Sequence, residues 1–259
     1  MLSKKWLKFI KSLQTKKFRQ ENGAFLVEGA KSVRELLQSD FAIRILFATE
    51  EFYHAAIRSP DGPGFAVEIV NPAELAAAGV FQSNNACLAV AGIKENRKLF
   101  AEAGEYVLVL DEVKDPGNLG TLIRVADWYG IRKVVCSANT ADCYNPKVIA
   151  ASVGSFTRVD LYYCDLRDYL SQHRDRAIYG AFLDGENLHQ TSFAASGYVV
   201  MGNESRGISE TLRPLIPHRI TIPRFGGAES LNVGIAAAVV CDNLRKQLTM
   251  ISGQWAVDG

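Results

Sequence analysis

Asp111-Glu-Val-Lys-Asp-Pro-Gly-Asn-Leu-Gly-Thr-Leu-Ile-Arg124 follows the apolar run Tyr106-Val-Leu-Val-Leu110 and precedes a helical pattern that lasts to about Gly130. A strand that gives way to a helix through a Pro-Gly loop is one step of an α/β fold. The spacing predicts that Asn118 begins the helix. At about 100° per residue, Leu122, Ala126 and Tyr129 share one face, and Arg124 lies off it near the first turns. An Arg so placed points toward the carboxyl end of the sheet, where open α/β folds keep their ligands. Taken alone, the pattern leaves two readings open, a ligand-directed cation and a solvated one.

Working outward, the same rhythm continues. Residues 133–136, 158–163, 177–183, 198–202 and 219–222 are near-continuous apolar runs. Strands of that kind are buried on both faces, which implies a parallel sheet flanked by helices. Asn145-Pro146 opens a helix with a capping side chain and Pro at the first helical position, and Gly154 is its expected stop. Before Tyr106 the elements are shorter. Strands over 23–28, 42–48, 66–70 and 86–93 alternate with helices over 29–38 and about 72–78, and a polar loop carries Pro60, Gly62, Pro63 and Gly64. The expected division is an amino-terminal α/β unit over 1–97, a polar linker over 98–104 and a parallel-sheet α/β domain over 105–259.

Composition bounds the function. With 48% hydrophobic and 22% charged residues the chain reads as an ordinary soluble globular protein, long enough to bury a substantial core. No apolar run approaches the roughly 18 residues that span a bilayer, so no membrane partner is expected. Cys87, Cys136, Cys143, Cys164 and Cys241 form no paired CxxC, and their odd number argues against a disulfide framework and for a reduced, cytoplasmic setting. His54, His173, His189 and His218 lack ligand spacing, so no metal is expected.

The formal net charge of +1 conceals an uneven distribution, because residues 1–34 hold nine Lys/Arg against two Glu. Leu2, Trp6, Phe9, Ile10 and Leu13 recur at helical spacing among those lysines, so the segment reads as an amphipathic helix with Trp6 packed inward. A basic end suits a polyanionic partner. A solvated helix face accounts for the charge equally well.

Two further clusters sit after apolar runs. In Gly202-Asn-Glu204-Ser-Arg206-Gly207 a strand ending in glycine would let a ligand approach the backbone, and Glu204 could pair with an Arg or accept from a ligand hydroxyl. In Ile222-Pro-Arg-Phe-Gly226-Gly-Ala-Glu-Ser230-Leu231-Asn232-Val-Gly234 the loop leads into an apolar helix over 235–248. Ser230 and Asn232 there can cap that helix or bind a ligand, and spacing does not choose.

Together the clusters resemble the signature motifs of the SpoU (TrmH-like) family of RNA 2′-O-ribose methyltransferases, in the knotted SPOUT superfamily. The matching motifs, in order, are Asn118-x-Gly120-x-x-x-Arg124, Gly202-Asn-Glu204-x-x-Gly207 and Ser230-Leu-Asn232-Val. Leu13-Gln-x-Lys16-Lys17-x-Arg19 and Phe25-Leu-Val-Glu28-Gly29 look like the family's RNA-binding domain, so the resemblance covers nearly the whole chain. It implies a deep trefoil knot at the carboxyl-terminal end and S-adenosylmethionine bound bent within it, held largely by backbone groups at Phe182, Gly202, Ile222 and Leu231. It also implies a homodimer in which Arg124 reaches the partner's cofactor, a catalytic set completed by Asn118, Glu204, Ser230 and Asn232, and ribosomal or transfer RNA as substrate. RNA contacts are expected at Lys4, Lys8, Lys16, Lys17 and Arg19.

One departure is Gly234, where relatives often carry Ser or Ala. Two other readings fit the residues less well. A catalytically inert RNA-binding protein is disfavoured by the intact motif residues, and a dinucleotide-binding oxidoreductase fails because Gly117-Asn-Leu-Gly120 lacks the fingerprint spacing.

Overall fold

A computed structural model describes residues 2–57 and 64–252. Pro60, Gly62 and Pro63 of the expected polar loop lie outside them. The chain forms two compact units, one of residues up to Glu95 together with Asp142–Arg158, the other of Asn96–Ala141 with the residues from Val159 onward.

The first unit begins with α1 (Lys4–Ser12) and α2 (Lys16–Asn22), and continues through β1 (Ala24–Glu28), α3 (Ala30–Leu37), β2 (Ile43–Ala48), α4 (Glu50–Ala56), β3 (Ala66–Ile69), α5 (Pro72–Ala78) and β4 (Cys87–Gly92). Its sheet has the order β1-β4-β2-β3, with β4 antiparallel to both neighbours and β3 parallel to β2. Successive residues point to opposite faces, so β1 serves two cores. Leu26 packs with Ile10, Leu13 and Leu75 on one face, while Phe25 and Val27 pack with Val33, Leu36 and Phe52 on the other.

The second unit starts with β5 (Tyr106–Leu110), α6 (Pro116–Trp128) and β6 (Lys133–Ser137). The chain then contributes a segment to the first unit through α7 (Pro146–Ser152) before resuming as β7 (Asp160–Cys164), α8 (Leu166–Ser171), β8 (Ala177–Asn187), β9 (Gly197–Met201), β10 (His218–Thr221) and α9 (Val233–Ser252). The sheet order is β10-β8-β9-β5-β6-β7, and every pairing is parallel. The connection leaving the carboxyl end of β5 runs to β6 and the one leaving its neighbour β9 runs the other way, to β10, so a crevice opens between those two strand ends.

Three details differ from the sequence reading. Residues 142–158 belong with the amino-terminal unit instead of forming part of a continuous block from 105. Phe156 meets Phe25 edge-on at 6.1 Å and Phe41 at 5.8 Å, and Tyr144 lies 4.6 Å from Phe25. Burying the Phe156 ring there contributes about 1.5–3 kcal/mol, and contacts so distant in sequence leave no local pattern.

The second difference is at the start of α6, which begins at Pro116 and not at Asn118. Asp115 is the cap, its Oδ1 accepting from the Asn118 backbone N–H at 2.8 Å, with Pro at the first position. That leaves the Asn118 side chain free for other partners. Third, β8 runs past residue 183 to Asn187, because its register against β10 jumps from Arg219↔Gly180 to Ile220↔Glu186. Such an irregularity re-aims side chains. Here Phe182 is buried and Leu183 is 81% exposed.

Candidate functional site

All three motif loops follow carboxyl ends of parallel strands, after β5, β9 and β10. The Asn118 side chain joins them. Its Nδ2 donates to Glu204 Oε1 at 2.8 Å, and its Oδ1 accepts from Asn232 Nδ2 at 2.8 Å. A side-chain amide carries both a donor and an acceptor, so Asn118 can give a hydrogen bond to the carboxylate on one side and take one from the Asn232 amide on the other. Asn232 is also the cap of α9, its Oδ1 accepting from Gly234 N at 2.9 Å. Of the two readings left open for Asn232, the cap is the one seen, and its amide nitrogen goes to Asn118.

The second loop is held by its own backbone. Asn203 and Gly207 exchange N–H···O bonds of 2.9 Å in both directions, and Gly207 has φ +67°. A Cβ on Gly202 would lie 2.2 Å from the Gly207 carbonyl carbon. The close approach that requires glycine at 202 is thus made by the chain itself, where the sequence reading supposed a ligand. Asn203 Nδ2 donates to the carbonyl of Glu112 at 2.8 Å, and Asp111 Oδ2 accepts from Ser209 N at 2.8 Å, tying the end of β5 to the turn after β9. Sequence reasoning missed Asp111, Asn203 and Asp115 as supports. Asp111 and Asp115 lie in the stretch quoted first, and their signal was a short acidic side chain beside a loop that must be pinned.

Gly234 has a similar steric cause. A Cβ there would lie 2.7 Å from Thr121 Cγ2, so glycine lets the start of α9 seat against α6. Thr121 itself donates to the Gly117 carbonyl at 2.9 Å.

Beside this network lies a cavity of about 640 Å³. Phe182, Gly202, Glu204, Ile222, Ser230 and Leu231 all line it, so the four residues expected to hold a cofactor border the same cavity. The ring of Phe182 is covered by cations, with the Arg219 guanidinium 4.5 Å and the Arg213 guanidinium 5.6 Å from its centroid. Arg219 Nη2 in turn donates to both carboxylate oxygens of Asp184, at 2.7 and 2.8 Å. Arg124 does not line the cavity. Its side chain is exposed and has no hydrogen-bond or ion-pair partner among the described residues. Trp128, one helical turn further along α6, is 82% exposed, and Ile235 on α9 is 56% exposed.

In the first unit α1 is capped by Ser3, whose Oγ accepts from Trp6 N at 3.2 Å, and Trp6 packs edge-on against Phe47 at 5.6 Å. Lys4, Lys8, Lys16 and Lys17 are exposed on α1 and α2. Arg19 is not on that surface, contrary to the expectation that it contacts RNA. It is 1% exposed. Its Nη2 lies 2.6 Å from Asp142 Oδ2, and its Nη1 donates to the carbonyls of Leu13 and Gln14 at 2.9 and 2.8 Å. The guanidinium closes the turn between the two helices, which is a structural task.

Among the described residues no group of three or more His, Cys, Asp or Glu could hold a metal ion, and no helix is long and apolar enough to cross a membrane. Burial pushes the thiols of Cys87 and Cys241 up to about 12. Neither suits nucleophilic work near neutral pH.

Comparison with known proteins agrees with this geometry. Residues 105–242 match the SpoU rRNA Methylase family, and residues 4–82 match the MRM3-like substrate binding domain. The chain is 31% identical over 238 residues to the 23S rRNA (guanosine(2553)-2′-O)-methyltransferase RlmP of Bacillus subtilis (strain 168), covering 91% of this chain and 94% of that protein. A TrmH-family structure from Porphyromonas gingivalis superposes with a TM-score of 0.86 at 34% identity, covering 95% of this chain and 99% of that one. An AdoMet-bound rRNA methyltransferase from Sinorhizobium meliloti superposes at 0.84 with 25% identity, covering 96% and 97%.

Proposed function

The chain belongs to the SpoU rRNA methylase family, and from that premise we propose that it transfers a methyl group from S-adenosylmethionine to a ribose 2′-hydroxyl in ribosomal or transfer RNA. One observation carries the reading. A single side chain, Asn118, links Glu204 of the second motif and Asn232 of the third beside a cavity of ligand size.

The cavity suits that cofactor in size and chemistry. About 640 Å³ falls within the usual range for small-molecule sites. Its wall combines apolar side chains, among them Phe182, Ile222 and Leu231, with backbone at Gly202. S-adenosylmethionine supplies the electrophilic methyl group, so the protein's own task is to position the hydroxyl and assist loss of its proton. Glu204 and Asn232, held through Asn118, fix the loops around the cavity, and Ser230 on its wall orders the third motif.

Arg124 pairs with the phosphate next to the target ribose and orients the 2′-hydroxyl. A guanidinium stays protonated across the ordinary pH range, so its contribution is charge and direction more than basicity. Because Arg124 is exposed, unpaired and off the cavity wall of its own chain, we assign it to the cavity of a second subunit in a homodimer. Trp128 and Ile235 supply exposed apolar surface for that contact. The segment after β10 and the helix α9 form the trefoil knot of the superfamily. Lys4, Lys8, Lys16 and Lys17 on the amino-terminal unit hold RNA phosphates. The five cysteines are thiols, which suits a reduced cytoplasm, where we place the enzyme. Single-stranded loops are its targets, since regular duplex encloses its riboses and bases.

Arg124→Ala tests the assignment. Methyl transfer to RNA should fall below detection, while calorimetric binding of S-adenosylmethionine stays within about twofold of wild type, because the Arg acts after the cofactor is seated. Wild-type-like methylation by the variant would remove Arg124 from the reaction. A wild-type protein that takes up no cofactor would leave only an inert RNA-binding module.

A further inference from the structure

Phe225 is 95% exposed, yet it lies on the wall of the cavity. Full exposure of an aromatic ring beside a ligand-sized cavity has no structural return within the chain, because the ring buries almost nothing there. The loop is built to present it. Pro223 fixes the backbone on one side, and Gly226 and Gly227 follow on the other, each with nothing within 4 Å of where a Cβ would stand. Leu183, thrown outward by the register jump in β8, is a second exposed apolar side chain on the same cavity.

Charge on this rim favours a nucleic acid. Arg206 and Arg224 are exposed and line the cavity. The carboxylates of Glu204 and Asp184 are engaged by Asn118 and Arg219. Among the described residues of the rim, Glu229 is left to oppose the two cations. Exposed aromatic surface flanked by guanidinium groups takes unstacked bases, the ring replacing the lost stacking and the cations meeting the backbone.

Resting on the methyltransferase reading above, we propose that Phe225 stacks on the nucleobase of the RNA segment presented to the cavity, with Leu183 closing the other side, so that Phe225 is a substrate-positioning residue. A ribose that brings its 2′-hydroxyl to the cavity carries its base out of the neighbouring stack, and Phe225 is the aromatic face waiting at that place. A second subunit is the weaker occupant. One ring on a glycine-flanked loop offers roughly 150–250 Å², against roughly 800 Å² per partner in a stable interface.

The experiment compares wild type with Phe225→Ala, Phe225→Leu and Phe225→Trp in full-length protein. It measures KM and kcat for rRNA methylation, S-adenosylmethionine affinity by calorimetry and mass by sedimentation. Loss of one base–aromatic stack should raise the RNA KM of F225A by roughly 5- to 150-fold. F225L should fall with F225A, since a leucine has no π-face, and F225W should return near wild type. Cofactor affinity and mass should not move. An unchanged RNA KM in F225A, or full rescue by F225L, overturns the stacking role. A matching drop in cofactor affinity would make Phe225 part of the cofactor wall, and a fall in mass would make it a subunit contact. Wild-type protein that methylates no RNA would instead overturn the parent reading.

Discussion

Replacing Arg19 separates a structural cation from an RNA contact. Arg19→Ala removes a guanidinium that is 1% exposed and bonded to Asp142 and to the carbonyls of Leu13 and Gln14. The Asp142 carboxylate, 16% exposed, would be left charged without its partner, and both carbonyls would lose their donor. Breaking such a buried pair from one side costs about 3–5 kcal/mol. With a urea slope of about 1–3 kcal/mol per molar, the unfolding midpoint should drop by more than about 1 M. Asp142→Asn keeps an acceptor for the guanidinium and should cost less. The double variant R19A/D142A should be less destabilised than the sum of the singles, because the uncompensated carboxylate is gone. Urea denaturation followed by circular dichroism, with RNA binding measured under native conditions, decides the matter. An R19A protein with an unchanged midpoint but weakened RNA affinity would refute the structural assignment and return Arg19 to the binding surface.

The other predictions concern the motif link and the sheet edge. Asn118→Asp replaces the donor facing Glu204 with a second carboxylate, so single-turnover methyl transfer should fall further than in Asn118→Ala; equal rates would mean that the link to Glu204 has no part in ordering the site. In the first unit, burial holds the Glu28 carboxyl above its ordinary 4.5, outweighing hydrogen bonds from Val80, Phe81 and Asn84. A raised carboxyl binds its proton more tightly in the folded state, so its penalty is absent below 4.5 and grows as pH rises through the folded value. Glu28→Gln should therefore flatten the decline in stability across the window just above 4.5, measured as urea midpoints at successive pH values, whereas an identical pH profile in the variant would contradict the direction of the shift.

Much of the site was legible because its parts are local. A cap, a Pro-Gly loop and an apolar strand are each encoded by neighbours, so the three motif loops could be placed after their strands from spacing alone. The Asn118 pairing could not be, since its partners stand 86 and 114 residues away. Arg19 misled for the same reason. A basic residue among lysines looks like one more phosphate contact until a carboxylate 123 residues away is found against it.

By itself the sequence determined the alternation of apolar strands and helices, the basic amino-terminal face and the order of the motif residues, because each depends on periodicity or on side chains a few positions apart. Only the tertiary structure decided that Asn118 joins two distant motifs, that Gly202 and Gly234 make room for the chain's own backbone and Thr121, and that residues 142–158 complete the first unit. Those outcomes depend on which surfaces meet when the chain closes. Meeting is fixed by packing and by the need to pair every buried polar group, and neither is written in the local order of residues.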